Sequence, residues 1–300
     1  MHDNIAFSHQ EAFDRNIGLI SAEELESFSH KLVVLPGCGG VGGVHAQTMA
    51  RLGVGRFRIA DPDSFSLVNF NRQLGATMQT LGRNKAEVIA EMILSINPQA
   101  EVEVYREGLT EGNTSAFVVG ADLVIDGIDF FTYPARRRLY KEAWKSEIPV
   151  MISAPLGFSG TLHVFDKSGL TFDEYFDMHD GQTLFEQVVN FYLGLAPAAL
   201  HAPYMDLTTA RPGEGRGPSS HIGVELSASL AGAEAVRILR GKPASIRAPQ
   251  YLQFDAYRHK LRKGTLYGGN RNWLQRLKRY LVMRKFRQLH WDSALSSVHP

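Results

Sequence analysis

A glycine-rich segment and a later aspartate give the first sign of a binding site. The segment Gly37-Cys38-Gly39-Gly40-Val41-Gly42 fits the pattern G-x-G-x-x-G between a short apolar run and a predicted helix. Glycines let a phosphate approach the backbone, and a helix amino terminus offers free N–H groups. Asp61 follows about 20 residues later, where a carboxylate can bind a ribose hydroxyl. Taken alone, the pattern predicts a nucleotide or dinucleotide site and leaves a nicotinamide or flavin dehydrogenase open.

The polar residues that follow Asp61 favour a triphosphate. Asn69, Arg72 and Gln73 come next, and Lys85 stands at the start of another predicted helix. A dinucleotide pyrophosphate rarely needs two further cations, because a helix amino terminus suffices. A pyrophosphate leaving group gains negative charge, which Arg and Lys side chains stabilise.

Two carboxylates are predicted at the carboxyl end of a further strand. Asp126 and Asp129 lie in Val124-Ile125-Asp126-Gly127-Ile128-Asp129. Ligands bind at this end of the strands in open α/β sheets, and carboxylate oxygens suit Mg²⁺.

Together these motifs resemble those of the ThiF/MoeB adenylyltransferases of the ubiquitin-activating-enzyme superfamily. The resemblance runs from about Phe13 to Phe165 and resumes at about Gly223–Gly241. It implies an enzyme that binds Mg-ATP and adenylates a carboxylate, in that family often the C-terminal glycine of a ubiquitin-like protein. Here the carboxylate stays open between a small molecule, a peptide and a tRNA-borne group.

The resemblance also implies a role for each matching residue. The cofactor-binding set is Gly37, Gly39, Gly40, Gly42, Asp61 for the ribose, Asn69, and Arg72, Gln73 and Lys85 for the phosphates. Arg72, Lys85 and Asp129 are the implied catalytic residues, with Asp129 as the Mg²⁺ ligand. The segment Phe13–Ile17 resembles the family's N-terminal segment, whose arginine reaches the partner subunit's ATP site. Arg15 is therefore a further catalytic candidate, and its action in trans requires a homodimer.

The sequence departs from the family in its cysteines. Cys38 is the single cysteine and lies inside the glycine segment, so we interpret it as a small packing residue. The two Cys-x-x-Cys pairs of the zinc-bearing members are missing, and no zinc is expected. Phe130 replaces a polar residue often found after the Mg-binding aspartate. We expect acyl-adenylate formation followed by attack of an amine, a hydroxyl or an internal nucleophile, without a thioester.

Alternating apolar runs and helical patterns predict the fold that positions these residues. Strands are expected near 31–35, 55–60, 102–105, 123–126, 149–153 and 161–165, and helices near 21–30, 41–52, 85–96, 134–145 and 223–240. This order predicts an α/β, Rossmann-like, doubly wound and mostly parallel sheet with a C-terminal extension. The continuous apolar run Leu32–Leu35 suits a sheet covered on both faces.

Charge divides the chain unevenly. Residues 256–291 carry eleven Lys or Arg and no Asp or Glu, whereas residues 1–255 have a net charge of −9. We divide the chain into an N-terminal helical segment (1–30), an ATP-binding domain (31–165), a substrate or dimer region (166–255) and a basic tail (256–300). The tail is expected to pack on the acidic body of its own dimer or on a partner surface, or to meet an anionic membrane or RNA. Composition, one cysteine and no long apolar run favour a cytoplasmic protein.

Four hypotheses compete. The first is the cysteine-independent adenylyltransferase. The second is a tRNA threonylcarbamoyladenosine dehydratase-like enzyme, because Asn69–Gln73 and the helix 85–98 are similar to that branch. The third is a non-catalytic nucleotide-binding subunit, and the fourth is a nicotinamide-dependent oxidoreductase. Within the region 166–222, Phe185–Leu200 is expected to be a buried helix, a dimer face or the wall of an acyl pocket, and His221 is a weaker substrate-orienting candidate.

Overall fold

Alternating strands and helices build one mixed β-sheet in the computed structural model, which describes residues 6–296. The strands are β1 (Leu32–Pro36), β2 (Arg56–Ala60), β3 (Glu101–Tyr105), β4 (Leu123–Asp126), β5 (Val150–Ile152), β6 (Pro155–Leu156), β7 (Ser159–Phe165), β8 (Gln250–Asp255) and β9 (Lys260–Thr265). The ends of the predicted N-terminal segment and of the predicted tail, residues 1–5 and 297–300, lie outside the described residues.

The helices alternate with the strands in the first half of the chain and cluster in the second. They are α1 (His9–Phe13), α2 (Ala22–Ser29), α3 (Gly40–Arg51), α4 (Lys85–Ile96), α5 (Thr114–Val118), α6 (Tyr133–Lys145), α7 (Phe172–Phe176), α8 (Leu184–Leu195), α9 (His221–Leu239), α10 (Trp273–Gln288) and α11 (Trp291–Ser296). No helix within residues 6–296 is long and apolar enough to cross a membrane.

The strand order is β3-β2-β1-β4-β5-β7-β8-β9, with β6 paired to β7. The first five strands of this order are parallel, and the pairs from β5 to β9 are antiparallel. The predicted α/β fold with a mostly parallel sheet is confirmed. The order reverses between β1 and β4, so a crevice opens beyond the carboxyl ends of these strands.

Side chains alternate between two cores, one on each face of the sheet. In β1, Val33 and Leu35 pack with α2, α3, α4 and α9, whereas Leu32 and Val34 pack on the face that carries α6, α7 and α8. Since both faces are covered, every β1 residue is buried and no polar residue interrupts the strand. The expectation drawn from this apolar run is confirmed.

Local signals define several helix starts. Ser21 and Glu24 form the predicted capping box of α2, with Ser21 Oγ accepting from Glu24 N at 3.1 Å. Asn84 caps α4, which places Lys85 at the first helical position. These caps fix where each helix begins and so where its first side chains lie.

The basic C-terminal region contains both sheet and helix. Residues 256–259 form the turn between β8 and β9, so the division drawn at 255/256 from charge falls inside a hairpin of the sheet. Beyond β9, α10 packs against α8, and Phe286 of α10 lies 4.1 Å from Trp291 of α11, measured between ring centroids. The C-terminal helices therefore extend the core on the face that carries α8.

Candidate functional site

A cavity of about 390 Å³ opens beyond the carboxyl ends of β1, β2, β4 and β5. Its lining joins residues from both halves of the chain. One side carries the glycine segment, Asp61, Arg72, Gln73, Lys85 and Asp129. The other side is formed by residues of α8, the loop 205–219 and α11. The topology thus gathers most of the sequence-predicted residues at one place.

The glycine segment forms the turn from β1 into α3. Gly37 has φ +88°, and a Cβ there would overlap the carbonyl oxygen of Gly127; a Cβ on Gly42 would overlap the carbonyl oxygen of Gly37. These two glycines are needed for packing of the protein itself. A Cβ on Gly40, in contrast, would meet only Val224 Cγ2, at 3.5 Å. Gly39 and Gly40 line the cavity at the amino end of α3, which has no acidic residue in its first turn. This end is suited to an anion.

Asp61 follows β2 and is buried. Its Oδ2 accepts a hydrogen bond from Cys38 N at 2.7 Å, and its Oδ1 accepts one from Asp63 N at 2.9 Å. Burial raises the pKa of the Asp61 carboxyl, while the nearby Lys85 ammonium acts in the opposite direction. The carboxylate therefore orders both the glycine turn and its own loop. Each oxygen keeps lone-pair capacity for a ribose hydroxyl.

Asn69, Arg72 and Gln73 lie on the crossover between β2 and α4. Asn69 does not line the cavity: its Oδ1 accepts from Ser66 N at 3.0 Å, and its backbone oxygen accepts from the N–H groups of Arg72 and Gln73. Its shown contacts are those of a residue that shapes the loop. Gln73 lines the cavity beside Gly39 and is 8% exposed, and its Oε1 has no hydrogen-bond partner among residues 6–296. A buried acceptor without a donor is costly, so the site is suited to a ligand donor.

Arg72 presents an unneutralised guanidinium to the cavity. Its Nη1 donates to Val68 O and to Asn71 Oδ1, both at 3.0 Å, and no carboxylate of the described chain forms a salt bridge with it. Burial lowers the pKa of Arg72, and the negative charge of Asp129 acts against that shift. A half-buried cation without an ion-pair partner is suited to hold an anionic ligand.

Lys85 is buried at the start of α4. Its Nζ donates to Asp63 Oδ2 at 2.8 Å, and the Asp63 side chain is 66% exposed. A cation at a helix amino terminus is unfavourable unless a negative group is close. Asp63 supplies that group here, and its exposure leaves Lys85 able to exchange it for a phosphate.

The two carboxylates after β4 differ in environment. Asp126 is buried and accepts from Arg136 Nε at 2.8 Å, from the Tyr140 hydroxyl at 3.0 Å and from Ile128 N at 3.0 Å. Arg136 neutralises Asp126 within the core, so the carboxylate left without a counter-charge is Asp129, the residue that the resemblance implies for Mg²⁺. Asp129 lines the cavity and accepts from Phe131 N at 2.9 Å through Oδ1.

Asp129 has the features of a Mg²⁺ ligand. Its Oδ2 accepts no hydrogen bond from the described residues, and no salt bridge involves it there. No group of three or more His, Cys, Asp or Glu suited to a metal occurs within residues 6–296. Mg²⁺ commonly takes one or two carboxylates and completes its shell with water and phosphate oxygens, so a single aspartate fits it.

The far wall of the cavity is apolar and includes residues that the sequence did not single out. Phe191, Tyr192 and Leu195 of α8 line it, so Phe185–Leu200 contributes both a buried helix and a cavity wall. Further lining residues are Phe130, Phe131, Met205, Leu207 and Trp291. No local signal in the sequence marks Trp291, because its place depends on how α10 and α11 pack.

Several candidates lie away from the cavity. Arg15 is exposed in a 3₁₀ turn and does not line the cavity of its own chain. Gly42 acts through packing, as described above. His221 is exposed and pairs with Glu225, with Nε2 and Oε1 3.3 Å apart. Cys38 is 1% exposed in the core, and burial raises the pKa of its thiol far above the usual range, so the thiol stays protonated.

Known proteins share sequence and fold with this chain. The model of the ThiF family matches residues 13–271. The tRNA threonylcarbamoyladenosine dehydratase of Bacillus subtilis (strain 168) is 38% identical over 142 residues, which are 47% of this chain and 55% of that protein. The chain thus spans about half the length of the curated relatives it matches.

Solved structures share the fold over most of the chain. PaaA superposes with a TM-score of 0.64 at 20% identity over 88% of this chain and 77% of its own. Escherichia coli MccB with MccA-N7isoASN gives 0.66 at 16% identity over 88% and 73%. The same enzyme with ATP gives 0.60 at 15% identity over 82% and 66%.

Proposed function

Because the chain belongs to the ThiF family, we propose that it is an ATP-dependent enzyme that activates a carboxylate as an acyl adenylate. The observation that carries the proposal is the cavity. It joins the amino end of α3 with Arg72, which has no ion-pair partner in the described chain, and with Lys85, whose partner Asp63 is exposed. Asp129, with one carboxylate oxygen free of hydrogen bonds from the described residues, lies in the same cavity. An apolar wall faces these charged groups across the same space.

In the proposed reaction, an oxygen of the substrate carboxylate attacks the α-phosphorus of ATP. The new bond joins that oxygen to phosphorus, the bond to the β-phosphate oxygen breaks, and pyrophosphate leaves with the electron pair. Negative charge grows on the leaving group, where Arg72 and Lys85 stabilise it. The amino end of α3 holds phosphate oxygens, and Asp61 orients the ribose.

Asp129 would hold Mg²⁺ through the oxygen that Phe131 N leaves free. When bound, the ion neutralises part of the triphosphate charge. Asp126 stays with Arg136, which also donates to the backbone oxygens of Ile128 and Asp129. This buried pair therefore positions the loop that carries Asp129.

The acyl adenylate is expected to react without a cysteine intermediate. Cys38 is the single cysteine of the chain, and its buried, protonated thiol does not line the cavity. An amine, a hydroxyl or a nucleophile within the substrate then attacks the acyl carbon, and AMP leaves.

Exchange of labelled pyrophosphate into ATP tests the proposal. Purified protein, Mg²⁺ and separate pools of small acids, peptides and tRNA are compared, with Asp129→Ala and Arg72→Ala as site variants. Arg56→Ala is the matched control, since Arg56 is exposed at the amino end of β2 and lies outside the cavity lining. We expect exchange that depends on one pool, persists in the control and falls about 100-fold or more in the site variants. ATP binding without exchange in any pool would favour a non-catalytic nucleotide-binding subunit.

A tRNA threonylcarbamoyladenosine dehydratase-like activity is the second candidate. It is favoured by the 38% identity to the Bacillus subtilis protein, which lies over 47% of this chain. It predicts exchange with the tRNA pool and an ATP-dependent loss of water from the substrate tRNA. Exchange with the peptide pool alone would instead favour a substrate of the kind present in the MccB–MccA structure.

We also propose that the enzyme is a homodimer in which Arg15 serves the partner's site. Arg15 is exposed and has no salt bridge within residues 6–296, and exposed apolar side chains follow it at Ile17 and Leu19. Another exposed apolar group lies on the crossover at Leu67 and Val68. Mixing Arg15→Ala with Asp129→Ala tests this, because mixed dimers that act in trans regain one intact site.

A further inference from the structure

We propose that the outward surface of α10 binds an anionic lipid bilayer. This surface, here named the α10 outer face, consists of five exposed apolar residues and the cations beside them. The apolar residues are Trp273 (70% exposed), Leu274 (48%), Leu277 (53%), Tyr280 (65%) and Leu281 (53%). The proposal does not depend on the chemistry of the cavity.

The five apolar residues form one stripe. At 100° per residue they fall within an arc of about 120° on the helix. Gln275 and Phe286 lie on the opposite side and are buried. Gln275 Nε2 donates to Leu193 O at 3.3 Å, and the Phe286 ring lies 5.6 Å from that of Tyr192, so α8 holds the inner side in place. The stripe therefore faces outward, and nothing within residues 6–296 covers it.

Cations border the stripe on both sides. Arg276 and Arg287 lie along one edge and Arg284 lies within the stripe. Lys285 lies along the other edge, where Lys278 Nζ donates to Pro197 O at 2.8 Å. α10 contains six Lys or Arg and no Asp or Glu. An apolar stripe with Trp and Tyr, edged by long cationic side chains, suits a helix lying in a membrane interface. Leucines then enter the acyl region while cations reach lipid phosphates.

RNA fits this face less well. A surface for a nucleic-acid backbone places its cations at the centre and uses aromatic or guanidinium planes to stack bases. Here the centre is mainly apolar, and three of its five apolar residues are leucines, which neither stack on bases nor contact phosphates.

A second copy of the chain also fits less well. A twofold contact pairs the same surface on both copies. Two α10 outer faces would set the cations of one helix against those of the other, which is unfavourable without intervening anions. A bilayer surface with acidic headgroups offers the opposite charge over the whole face.

Co-sedimentation of the full chain with vesicles tests the proposal. Vesicles of phosphatidylcholine alone are compared with vesicles in which roughly a third of the lipid is phosphatidylglycerol. We expect partition into the acidic vesicles to be at least about tenfold stronger, and to weaken as salt is raised. A blue shift of the tryptophan emission is expected on binding, and Trp273→Phe should remove most of it, since Trp291 is buried and the half-buried Trp144 lies on α6.

Variants test whether vesicle binding needs the apolar stripe or only the positive charge of the chain. Leu277→Glu and Leu281→Glu are each expected to reduce partition about tenfold or more. Leu261→Glu is the matched control, because Leu261 is 61% exposed between Lys260 and Arg262 but lies on β9. Its partition should change less than about threefold.

Three results would overturn the proposal. One is equal partition into both kinds of vesicle or no partition at all. A second is tRNA binding that Leu277→Glu abolishes while vesicle binding is absent. A third is a change from dimer to monomer in Leu277→Glu, seen by light scattering, again without vesicle binding.

Discussion

Replacing Asp126 with Asn is expected to lower the free energy of unfolding by about 3–5 kcal/mol. Arg136 is 1% exposed, and its Nε donates to Asp126 Oδ2 at 2.8 Å. In the variant, the guanidinium loses its counter-charge but stays buried. The Tyr140 hydroxyl and Ile128 N also lose a charged acceptor. Removing one partner of a buried pair leaves the desolvation cost of the other uncompensated.

Asp129→Asn is the matched comparison. Asp129 forms no salt bridge among the described residues, and an Asn side chain retains an oxygen that can accept from Phe131 N. Its free energy of unfolding should change by less than about 1 kcal/mol. Turnover should nevertheless be lost, because an amide is a weaker Mg²⁺ ligand than a carboxylate.

Thermal and urea unfolding would measure the difference between the two variants. For Asp126→Asn we expect a fall in Tm on the order of 6–15 °C. The double variant Asp126→Asn with Arg136→Met should regain part of the loss, since no buried charge remains. An Asp126→Asn protein with unchanged Tm would refute the reasoning, as would Asp129→Asn being the less stable of the two.

Three further predictions follow from the site and the core. Gly40→Ala should fold normally but bind ATP at least about tenfold more weakly, as measured by calorimetry. Gly42→Ala should lose stability, as measured by thermal unfolding, because its Cβ, unlike that of Gly40→Ala, would meet backbone atoms. Lys85→Met should reduce pyrophosphate exchange about 100-fold. Asp63→Asn should change the KM for ATP less than about tenfold, because Asp63 is exposed and a phosphate of ATP would take its place beside Lys85. The steady-state kinetics of both variants test this difference. Burial lowers the pKa of His45 to about 4 and of His163 to about 3, below the unfolded value of 6.5. Their contribution to stability is therefore full above pH 6.5, and the free energy of unfolding falls toward pH 4 by about 1.4 kcal/mol per pH unit for each histidine. Urea titrations at several pH values should show a shallower fall in His45→Leu, and an equal dependence of the free energy of unfolding on pH would contradict this.

The half of the fold around the glycine segment could be predicted because its signals are local. Glycine placement, apolar runs and caps such as Ser21 with Glu24 depend on neighbours within a few positions. The last two strands were not predicted. β9 contains Lys260, Arg262 and Lys263, which are exposed and suit an edge strand. With these residues the segment lacks the alternation of apolar and polar residues by which a strand is predicted.

The different environments of Asp126 and Asp129 could not be predicted, and the reason is another one. Arg136, Arg137 and Arg138 are consecutive, and each points about 100° around α6 from the next. Arg136 enters the core to meet Asp126, whereas Arg137 pairs with Asp173 and Asp180. The sequence does not reveal which arginine faces inward, so it could not show that Asp126 would be neutralised and Asp129 would not.

The α8 part of the apolar wall lies in Phe185–Leu200, for which a cavity wall was one of the expectations, whereas Trp291 was not expected there. Phe191 and Trp291 reach one cavity through the packing of α8, α10 and α11. No spacing rule joins such positions. In contrast, Arg72, Lys85 and Asp129 all follow strands of the same parallel sheet, whose carboxyl ends share one edge.

Trp291 has a consequence for the order in which the site is assembled during synthesis. The residues proposed to hold the nucleotide lie between Gly37 and Asp129, whereas Trp291 of α11 supplies a wall of the same cavity. Chains grow from the amino terminus, and early segments can fold before later ones emerge. The nucleotide side can therefore form while the facing wall is still incomplete. The apolar wall that we propose to shield an acyl group from water is therefore complete only when α10 and α11 dock.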